Sequence, residues 1–177
     1  GSTILDAAKK LNIYIPTLCH HPDQGAKANC RICVVEVEGS RLLQPSCAFP
    51  ASDGMVVHTN TPKVRKARNN ILELILAHHP QDCLHCARNG NCELQTVTQK
   101  LNFTRAPRYD YMMRGEGRDE SSPCITRDSA KCIDCGRCEY VCSEIQSVFA
   151  LSKQNRSINT AFVPAFGKSL AETACVG

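Results

Sequence analysis

The segment from Lys131 to Cys142 reads KCIDCGRCEYVC and brings four cysteines close together along the chain. Two residues separate Cys132 from Cys135 and Cys135 from Cys138, and three residues separate Cys138 from Cys142. This Cys-x2-Cys-x2-Cys-x3-Cys spacing allows three thiolates to surround one 4Fe–4S cluster, while the fourth cysteine normally binds a second cluster. The segment therefore predicts iron–sulfur ligation, with a zinc site or a group of structural thiols as the alternatives.

The ligands in this part of the chain do not add up to complete clusters. Cys132, Cys135 and Cys138 supply three ligands of one 4Fe–4S cluster, so its fourth ligand is expected outside the chain. Cys142 is predicted to bind a second 4Fe–4S cluster together with Cys175, which stands where another such motif would begin, in ACVG. The remaining ligands of that second cluster are also expected outside the chain.

A separate group of cysteines lies nearer the N-terminus, at Cys19, Cys30, Cys33 and Cys47. One close pair flanked by two single cysteines fits the four-thiolate ligation of a 2Fe–2S cluster in a small fold rich in strands. Ten residues separate Cys19 from Cys30, whereas plant-type ferredoxins have a shorter gap at that point. We predict a 2Fe–2S site here, and a structural zinc ion held by four cysteines is the alternative.

Between these two groups, His79, Cys83, Cys86 and Cys92 form another candidate site. His79 directly precedes Pro80, which turns the chain so that the imidazole can fold back over the cysteine loop. Three cysteines and one histidine also suit zinc, and a histidine at a helix end often interacts only with the helix dipole. Beside two iron–sulfur motifs, the set predicts a histidine-ligated 4Fe–4S cluster, whose neutral ligand would favour reduction.

The elements that must position these sites have recognisable sequence signals. Thr3 and Asp6 form a capping box for a helix over residues 2–12. Its predicted apolar face consists of Ile4, Leu5, Ala8 and Leu11. Alternating or extended stretches predict strands over residues 32–38, 41–45 and 55–59.

Thr61 and Pro62 predict the start of a second helix, which Pro80 ends. Its predicted apolar face consists of Val64, Ala67, Ile71, Leu74 and Ile75. A helix after the cysteine loop has an apolar side formed by Leu94, Val97 and Leu101. Residues 105–123 are charged and irregular. Two strands flanking Gln154–Arg156 and a short helix from Ser169 complete the prediction.

Composition narrows the class of protein. The formal charge of the 177 residues is +4 with cysteines counted as neutral, but bound iron–sulfur clusters would make the protein more acidic. No Lys/Arg run with interleaved aromatics indicates a nucleic-acid partner. No secretory signal or membrane-spanning stretch is recognisable, so the thirteen cysteines favour metal ligation in a reducing cytosol. Cys124 has no predicted ligand role and is expected to be a buried or free thiol.

Four stretches of the sequence resemble a known family: GSTILDAAKK…IPTLCHHPD, CRICVVEVEG, HHPQDCLHCARNGNCELQ and KCIDCGRCEYVC. In this order they resemble the N-terminal electron-relay region of NAD(P)-linked FeFe hydrogenase catalytic subunits. That region is shared with NAD-dependent formate dehydrogenases and with the large subunit of respiratory complex I. The resemblance covers essentially the whole chain. Family members normally have a strand before GSTILDAA, so the chain is expected to be clipped at both ends.

Two features favour the hydrogenases within this group. Cys142 is unusual for complex I, which usually has a single 4Fe–4S cluster in the corresponding region. The stretch AFVPAFGKSLAETACVG resembles the hydrogenases more than the formate dehydrogenases. The resemblance implies an electron relay, and the hydrogen-activating cluster would follow residue 177, so we predict no catalytic residue within the chain. A formate dehydrogenase relay, a complex I relay and a multi-zinc binding module are the alternatives.

The resemblance also implies a cytoplasmic oxidoreductase with several partners. It would couple H2 oxidation or proton reduction to NAD(P)H and, in electron-bifurcating members, to ferredoxin. FMN and NAD(P) are expected on an iron–sulfur partner subunit, and a small thioredoxin-like 2Fe–2S subunit and a soluble ferredoxin are further expected partners. The predicted fold is α+β. It begins with a ferredoxin-like 2Fe–2S domain (1–60), followed by a small helical domain with a histidine-ligated 4Fe–4S cluster (61–105). After a linker (106–123), the chain is predicted to form a truncated bacterial-ferredoxin domain for two 4Fe–4S clusters (124–177).

Overall fold

The computed structural model of the chain describes residues 1–104, 108–109 and 117–176. The helices are α1 (Ile4–Lys10), α2 (Pro62–Ala77), α3 (Glu93–Lys100) and α4 (Arg137–Tyr140). The strands are β1 (Val34–Val37), β2 (Gln44–Pro45), β3 (Val57–His58), β4 (Arg118–Asp119), β5 (Arg127–Asp128), β6 (Ser152–Gln154) and β7 (Ala161–Val163). This mixture confirms the predicted α+β content. In the described ranges, no helix combines the length and the apolar composition needed to cross a membrane.

Helix α1 begins at the predicted capping box. The amide of Asp6 donates to the Thr3 hydroxyl at 3.2 Å, and the amide of Thr3 donates to the Asp6 carboxylate at 3.0 Å. Ile4 and Leu5 are buried as predicted. The prediction for Leu11 was wrong, since its side chain is 70% exposed. The helix has ended at Lys10, so Leu11 no longer follows the helical direction toward the core.

Strand β1 is the centre of a three-stranded antiparallel sheet with the order β2-β1-β3. Val34 lies opposite Pro45, and Glu36 lies opposite His58. The partner strands are only two residues long, and side chains of α1 and β1 pack together in a common core beside this sheet. This first core contains Ile4, Leu5, Ala8, Ile15, Cys33, Val35, Val37 and Cys47.

Helix α2 has the predicted start but a different buried face. The amide of Val64 donates to the side chain of Thr61 at 3.2 Å, and Pro62 occupies the first helical turn. The buried residues of the helix are Val64, Arg68, Leu72, Glu73 and Ala77. The predicted face was therefore wrong at Leu74, which is 49% exposed. Two charged side chains lie on the buried face, and they disguise its periodicity in the sequence.

A second core joins α2 and α3 to the loops that carry the N-terminal cysteines. It contains Leu18, Ile32, Leu72, Leu94 and Val97. Leu18 and Ile32 belong to the cysteine loops of the first sheet region, whereas Leu94 and Val97 come from α3. The second core therefore fixes these loops and helices relative to one another.

The C-terminal part is built from short elements. Strand β4 pairs with β5, and β6 pairs with β7. A pair of strands was predicted here, but β6 includes Gln154, which the prediction placed between the two strands. Helix α4 continues directly into a π-helical turn, Val141–Ile145, and Ser169 caps a final 3₁₀ turn, Leu170–Glu172. Much of the predicted linker lies outside the described residues. The prediction of an irregular linker was wrong at its described C-terminal end, where β4 pairs with β5.

Replacement of Leu72 by alanine is expected to lower the free energy of unfolding by about 2–5 kcal/mol, because it leaves a cavity in the second core. Leu74→Ala on the same helix is the matched control, and its effect should stay within about 0.5 kcal/mol because the side chain is largely in solvent. Denaturant titration of both variants measures the difference. Equal losses of stability would contradict the assignment of the buried face.

Candidate metal centres

The predicted 2Fe–2S ligands lie at the border of the two cores. Cys19, Cys33 and Cys47 are each 1% exposed, and Cys30 is half-buried. The residue directly before each of the three buried cysteines is 0% exposed: Leu18, Ile32 and Ser46. The cysteines are buried because their neighbours in the chain are packed into the fold.

The four thiols form a connected group. Hydrogen bonds with Cys30 and Cys47 lower the pKa of Cys19 to about 2, and a hydrogen bond with Cys47 lowers the pKa of Cys33 to about 6. The pKa values of Cys30 and Cys47 are raised, because their protons stabilise the neighbouring thiolates. Four cysteine sulfurs linked by hydrogen bonds fit the donor set of a four-thiolate iron–sulfur cluster.

Backbone amides point toward the sulfurs of this group. The amides of Asn29 and Cys30 hydrogen-bond to Cys19, and the amide of Ile32 hydrogen-bonds to Cys30. Arg31 adopts a left-handed conformation with φ of 58°, which costs energy in a residue with a side chain and is typical of functional loops. Amide donors of this kind stabilise a negatively charged sulfur and tune the reduction potential of a cluster.

Arg68 is a charged residue that the sequence analysis did not single out. Its side chain is 4% exposed, and its Nη2 donates to the backbone oxygen of Val34 at 2.8 Å. Burial lowers the pKa of Arg68, and a negative charge on Cys33 opposes this change. In the described part of the chain no carboxylate forms an ion pair with Arg68. A buried cation needs a counter-charge, and the thiolate site beside β1 supplies one.

The predicted ligands His79, Cys83, Cys86 and Cys92 all line one cavity of about 510 Å³. Cys83 lies in a 3₁₀ turn, Cys83–His85, and Cys92 is the N-cap of α3. Helix α2 ends at Ala77, and His78 is its C-cap. The ends of two helices therefore bring the histidine and the cysteine loop together around a single space, and this donor set fits a cluster with one imidazole and three thiolates.

The ring of His79 is prepared to act as a ligand. Burial lowers its pKa, so the imidazole is neutral at neutral pH. Its Nδ1 lies 2.9 Å from the backbone oxygen of Pro80. A proton on Nδ1 satisfies that oxygen and leaves the lone pair of Nε2 available, which is the usual arrangement of a metal-binding histidine.

The two other histidines near this cavity differ from His79. His78 is 8% exposed and lines a separate cavity. His85 also lines the first cavity, but its side chain is 83% exposed and Nδ1 lies 2.6 Å from the carboxylate of Asp82. These positions support the choice of His79 as the candidate ligand.

The segment with the closely spaced cysteines folds as a tight loop before α4. Asp134 and Gly136 have left-handed φ values of 55° and 69°. The amide of Asp134 donates to the sulfur of Cys132 at 3.4 Å. These turns let the backbone curve around the thiols, as expected for a loop that surrounds a cluster.

A second cavity, of about 800 Å³, lies beside this loop. Cys132, Cys138 and Cys175 line it together with His78. Cys142 is not among its lining residues; it is 9% exposed within the π-helical turn. The structure thus brings Cys175 to the same space as Cys132 and Cys138, and the predicted sharing of a cluster by Cys142 and Cys175 stays a prediction.

Cys142 has hydrogen-bond donors of its own. The amides of Ala150 and Leu151 donate to its sulfur at 3.0 Å and 3.3 Å. Cys124 is exposed, so it is a free thiol and not a buried one. Among the residues that the structure describes, no group of three histidine, cysteine or acidic side chains is arranged to hold a single metal ion.

We expect Arg68→Met to make the reduction potential of the 2Fe–2S site more negative, because the variant removes a buried positive charge that stabilises the reduced, more negative cluster. EPR-monitored redox titration of the reconstituted protein measures the shift. Arg68→Lys, which keeps the charge, should stay closer to the parent. Arg65→Met on the exposed side of α2 is the control. Equal potentials for Arg68→Met and the parent would contradict this electrostatic role.

Replacement of His79 by alanine is expected to remove or convert one 4Fe–4S EPR signal while the 2Fe–2S signal persists, because the first site uses other donors. His79→Cys should restore a cluster with a more negative potential, since a thiolate adds negative charge. His85→Ala, at the exposed histidine of the same loop, is the control and should leave both signals unchanged. Unaltered spectra and iron content in His79→Ala would exclude His79 as a ligand.

Comparison with known proteins agrees with this geometry. Residues 1–62 match the sequence model of a 2Fe–2S iron–sulfur cluster binding domain. Residues 68–107 match the model of the NADH-ubiquinone oxidoreductase-G iron–sulfur binding region. The two matches confirm that the predicted ferredoxin-like 2Fe–2S domain and the iron–sulfur region after it are present.

Similar proteins include oxidoreductase subunits of two kinds. The chain is 48% identical to NADP-reducing hydrogenase subunit HndD of Solidesulfovibrio fructosivorans, over 99% of the chain and 31% of that protein. It is 38% identical to the NADH-ubiquinone oxidoreductase 75 kDa subunit of Reclinomonas americana, over 90% of the chain and 23% of that protein. The chain thus spans less than a third of either relative.

A solved structure shows the same fold. It is a chain from the crystal structure of an NAD⁺-reducing [NiFe]-hydrogenase in the H2-reduced state, with a TM-score of 0.88 and 32% sequence identity. The alignment covers 99% of this chain and 74% of that one. The chain therefore belongs to the family of iron–sulfur oxidoreductase subunits that includes NAD(P)-linked hydrogenase subunits and the 75 kDa subunit of NADH-ubiquinone oxidoreductase.

Proposed function

We propose that the chain is the electron-relay region of the catalytic subunit of a cytoplasmic, NAD(P)-linked FeFe hydrogenase. The observation that carries this proposal is the common cavity of His79, Cys83, Cys86 and Cys92. It accompanies a second, connected group of four thiols. The resemblance to NADP-reducing hydrogenase subunit HndD, at 48% identity, supports the hydrogenase assignment.

Four sets of ligands follow from this proposal. The 2Fe–2S cluster is held by Cys19, Cys30, Cys33 and Cys47, and one 4Fe–4S cluster is held by His79, Cys83, Cys86 and Cys92. A further 4Fe–4S cluster takes three ligands from Cys132, Cys135 and Cys138. A last one takes Cys142 and Cys175. Bound clusters supply one-electron transfer, and the potentials depend on ligand type, hydrogen bonds to sulfur and burial.

The residues of the chain have separate tasks in such a relay. The buried neighbours of Cys19 and Cys33 keep water from the first site. Amide donors at Cys19 and Cys142 stabilise negative sulfur. His79 contributes a neutral donor, which makes its site less negative than a site of four thiolates. Sites with different charges give an electron a preferred direction.

Other parts of the proposed enzyme lie outside the described residues. Hydrogen activation takes place at a cluster outside the chain, and a partner subunit binds FMN and NAD(P). A small thioredoxin-like 2Fe–2S subunit and a soluble ferredoxin are further proposed partners. The ferredoxin is included because an electron-bifurcating enzyme exchanges electrons with it. The multi-subunit character of the relatives, which are named as subunits, supports this arrangement.

The second candidate function is an electron relay in an enzyme whose active site is not that of an FeFe hydrogenase. The likeness to a chain of an NAD⁺-reducing [NiFe]-hydrogenase favours it, since the alignment covers 74% of that chain. The large subunit of complex I and a formate dehydrogenase are related options. The protein sequence downstream of residue 177 distinguishes them: cysteines for a hydrogen-activating cluster support the FeFe enzyme, and a molybdopterin domain supports the formate dehydrogenase.

A multi-zinc binding module is the alternative outside the oxidoreductases. We expect anaerobically purified protein to contain iron and acid-labile sulfide in amounts that match one 2Fe–2S cluster and at least one 4Fe–4S cluster. Chemical analysis of iron, sulfide and zinc, with EPR of the dithionite-reduced protein, measures this. Stoichiometric zinc without sulfide would overturn the relay proposal, and Cys124→Ser should leave the metal content unchanged.

A further inference from the structure

Arg137 lies between Cys135 and Cys138 and contacts residues beside both of the other candidate sites. Its guanidinium forms two hydrogen bonds with the Glu93 carboxylate, 3.0 Å from Nη1 to Oε1 and 2.8 Å from Nη2 to Oε2. Nη2 also donates to the backbone oxygen of His20 at 2.9 Å. One side chain thus bridges segments that are far apart in the sequence.

Both partners of Arg137 directly follow predicted ligands. His20 follows Cys19 of the 2Fe–2S site, and Glu93 follows Cys92 of the histidine-ligated site and begins α3. A guanidinium with two parallel hydrogen bonds to a carboxylate fixes the orientation of both groups as well as their distance. Arg137 therefore restrains the backbone beside one cysteine of each of the three sites.

The surrounding contacts hold the same two loops together. Lys27 places its ammonium group 4.4 Å from the ring centre of Tyr140. Gly136 has a φ of 69°, and a Cβ at this position would lie 2.8 Å from the side-chain nitrogen of Asn29. The left-handed φ favours glycine at position 136, and a larger residue there would also have to displace the side-chain amide of Asn29.

One nitrogen of the Arg137 guanidinium takes no part in these contacts. In the described structure its Nε is buried and has no hydrogen-bond partner. The hydrogen bond with Glu93 raises the pKa of Arg137, and negative charge on Cys135 and Cys19 raises it further. The guanidinium therefore lies within electrostatic range of cysteines that belong to two different sites.

We propose that Arg137 is a positioning residue that fixes the loops of the three iron–sulfur sites relative to one another and thereby sets the separation of their clusters. The proposal rests on the relay function proposed above. The rate of electron transfer falls steeply with the distance between two centres, so a relay requires fixed spacing. A partly exposed ion pair contributes little to stability, so loss of Arg137 should alter geometry more than folding.

The test uses the full chain with its clusters assembled. In Arg137→Gln we expect unchanged iron and sulfide content, together with a changed and broadened dipolar coupling between the reduced 2Fe–2S and 4Fe–4S clusters in pulsed EPR. Arg137→Lys should resemble Arg137→Gln, because lysine keeps the charge but lacks the planar fork. Glu93→Gln should give a smaller change, and the double variant should match Arg137→Gln alone. Such non-additivity is expected of residues that act through one contact.

Lys63→Gln is the matched control. It removes the 3.3 Å ion pair with Glu36, which joins α2 to β1 and includes no neighbour of a predicted ligand. Its dipolar coupling should equal that of the parent. Parent-like coupling in Arg137→Gln with full cluster content would overturn the positioning role and leave the relay function intact. If Arg137→Gln does not assemble its clusters, Glu93→Gln provides the test instead. A dipolar coupling in Glu93→Gln equal to that of the parent would then overturn the positioning role. Absence of iron–sulfur clusters from the parent protein would instead overturn the relay function.

Discussion

The packing of apolar side chains directly beside the predicted ligands is the constraint on which the candidate sites depend. Leu18 and Ile32 are fully buried, and each directly precedes a cysteine. Leu94 follows Cys92 by two residues and belongs to the same second core. Because hydrophobic burial provides most of the driving force of folding, the forces that fold the chain also fix the donors. The loops need little regular structure of their own.

Buried charge is the second feature that organises the molecule. Glu73 is 1% exposed and binds Arg108, with 2.6 Å between Oε2 and Nη2. Arg68 has no carboxylate partner in the described structure and lies next to the thiolate site. Burial of an unpaired cation is costly, so its placement is understandable if the thiolate site is negatively charged. Arg137 has a related position, but it bridges several sites and is partly exposed.

Much of the secondary structure was predictable, because it depends on local signals. The capping box of Thr3 and the start of α2 at Thr61 and Pro62 were confirmed, since caps act within one helical turn. Leu11 and Leu74 were predicted to lie on buried helix faces, but both are exposed. A helix face is chosen by the neighbours that pack against it, and these neighbours lie far away in the sequence.

The sequence by itself determined which residues are candidate ligands, because the spacing of cysteines and the chemistry of thiolates and imidazole are local properties. It also determined the family resemblance, which the comparisons confirmed. Only the tertiary structure decided that His79 shares a cavity with three cysteines and that Cys175 lines the same cavity as Cys132 and Cys138. The fold also decided that Arg137 contacts the loops of all three candidate sites. Such contacts arise from long-range packing, which the spacing of residues along the chain does not encode.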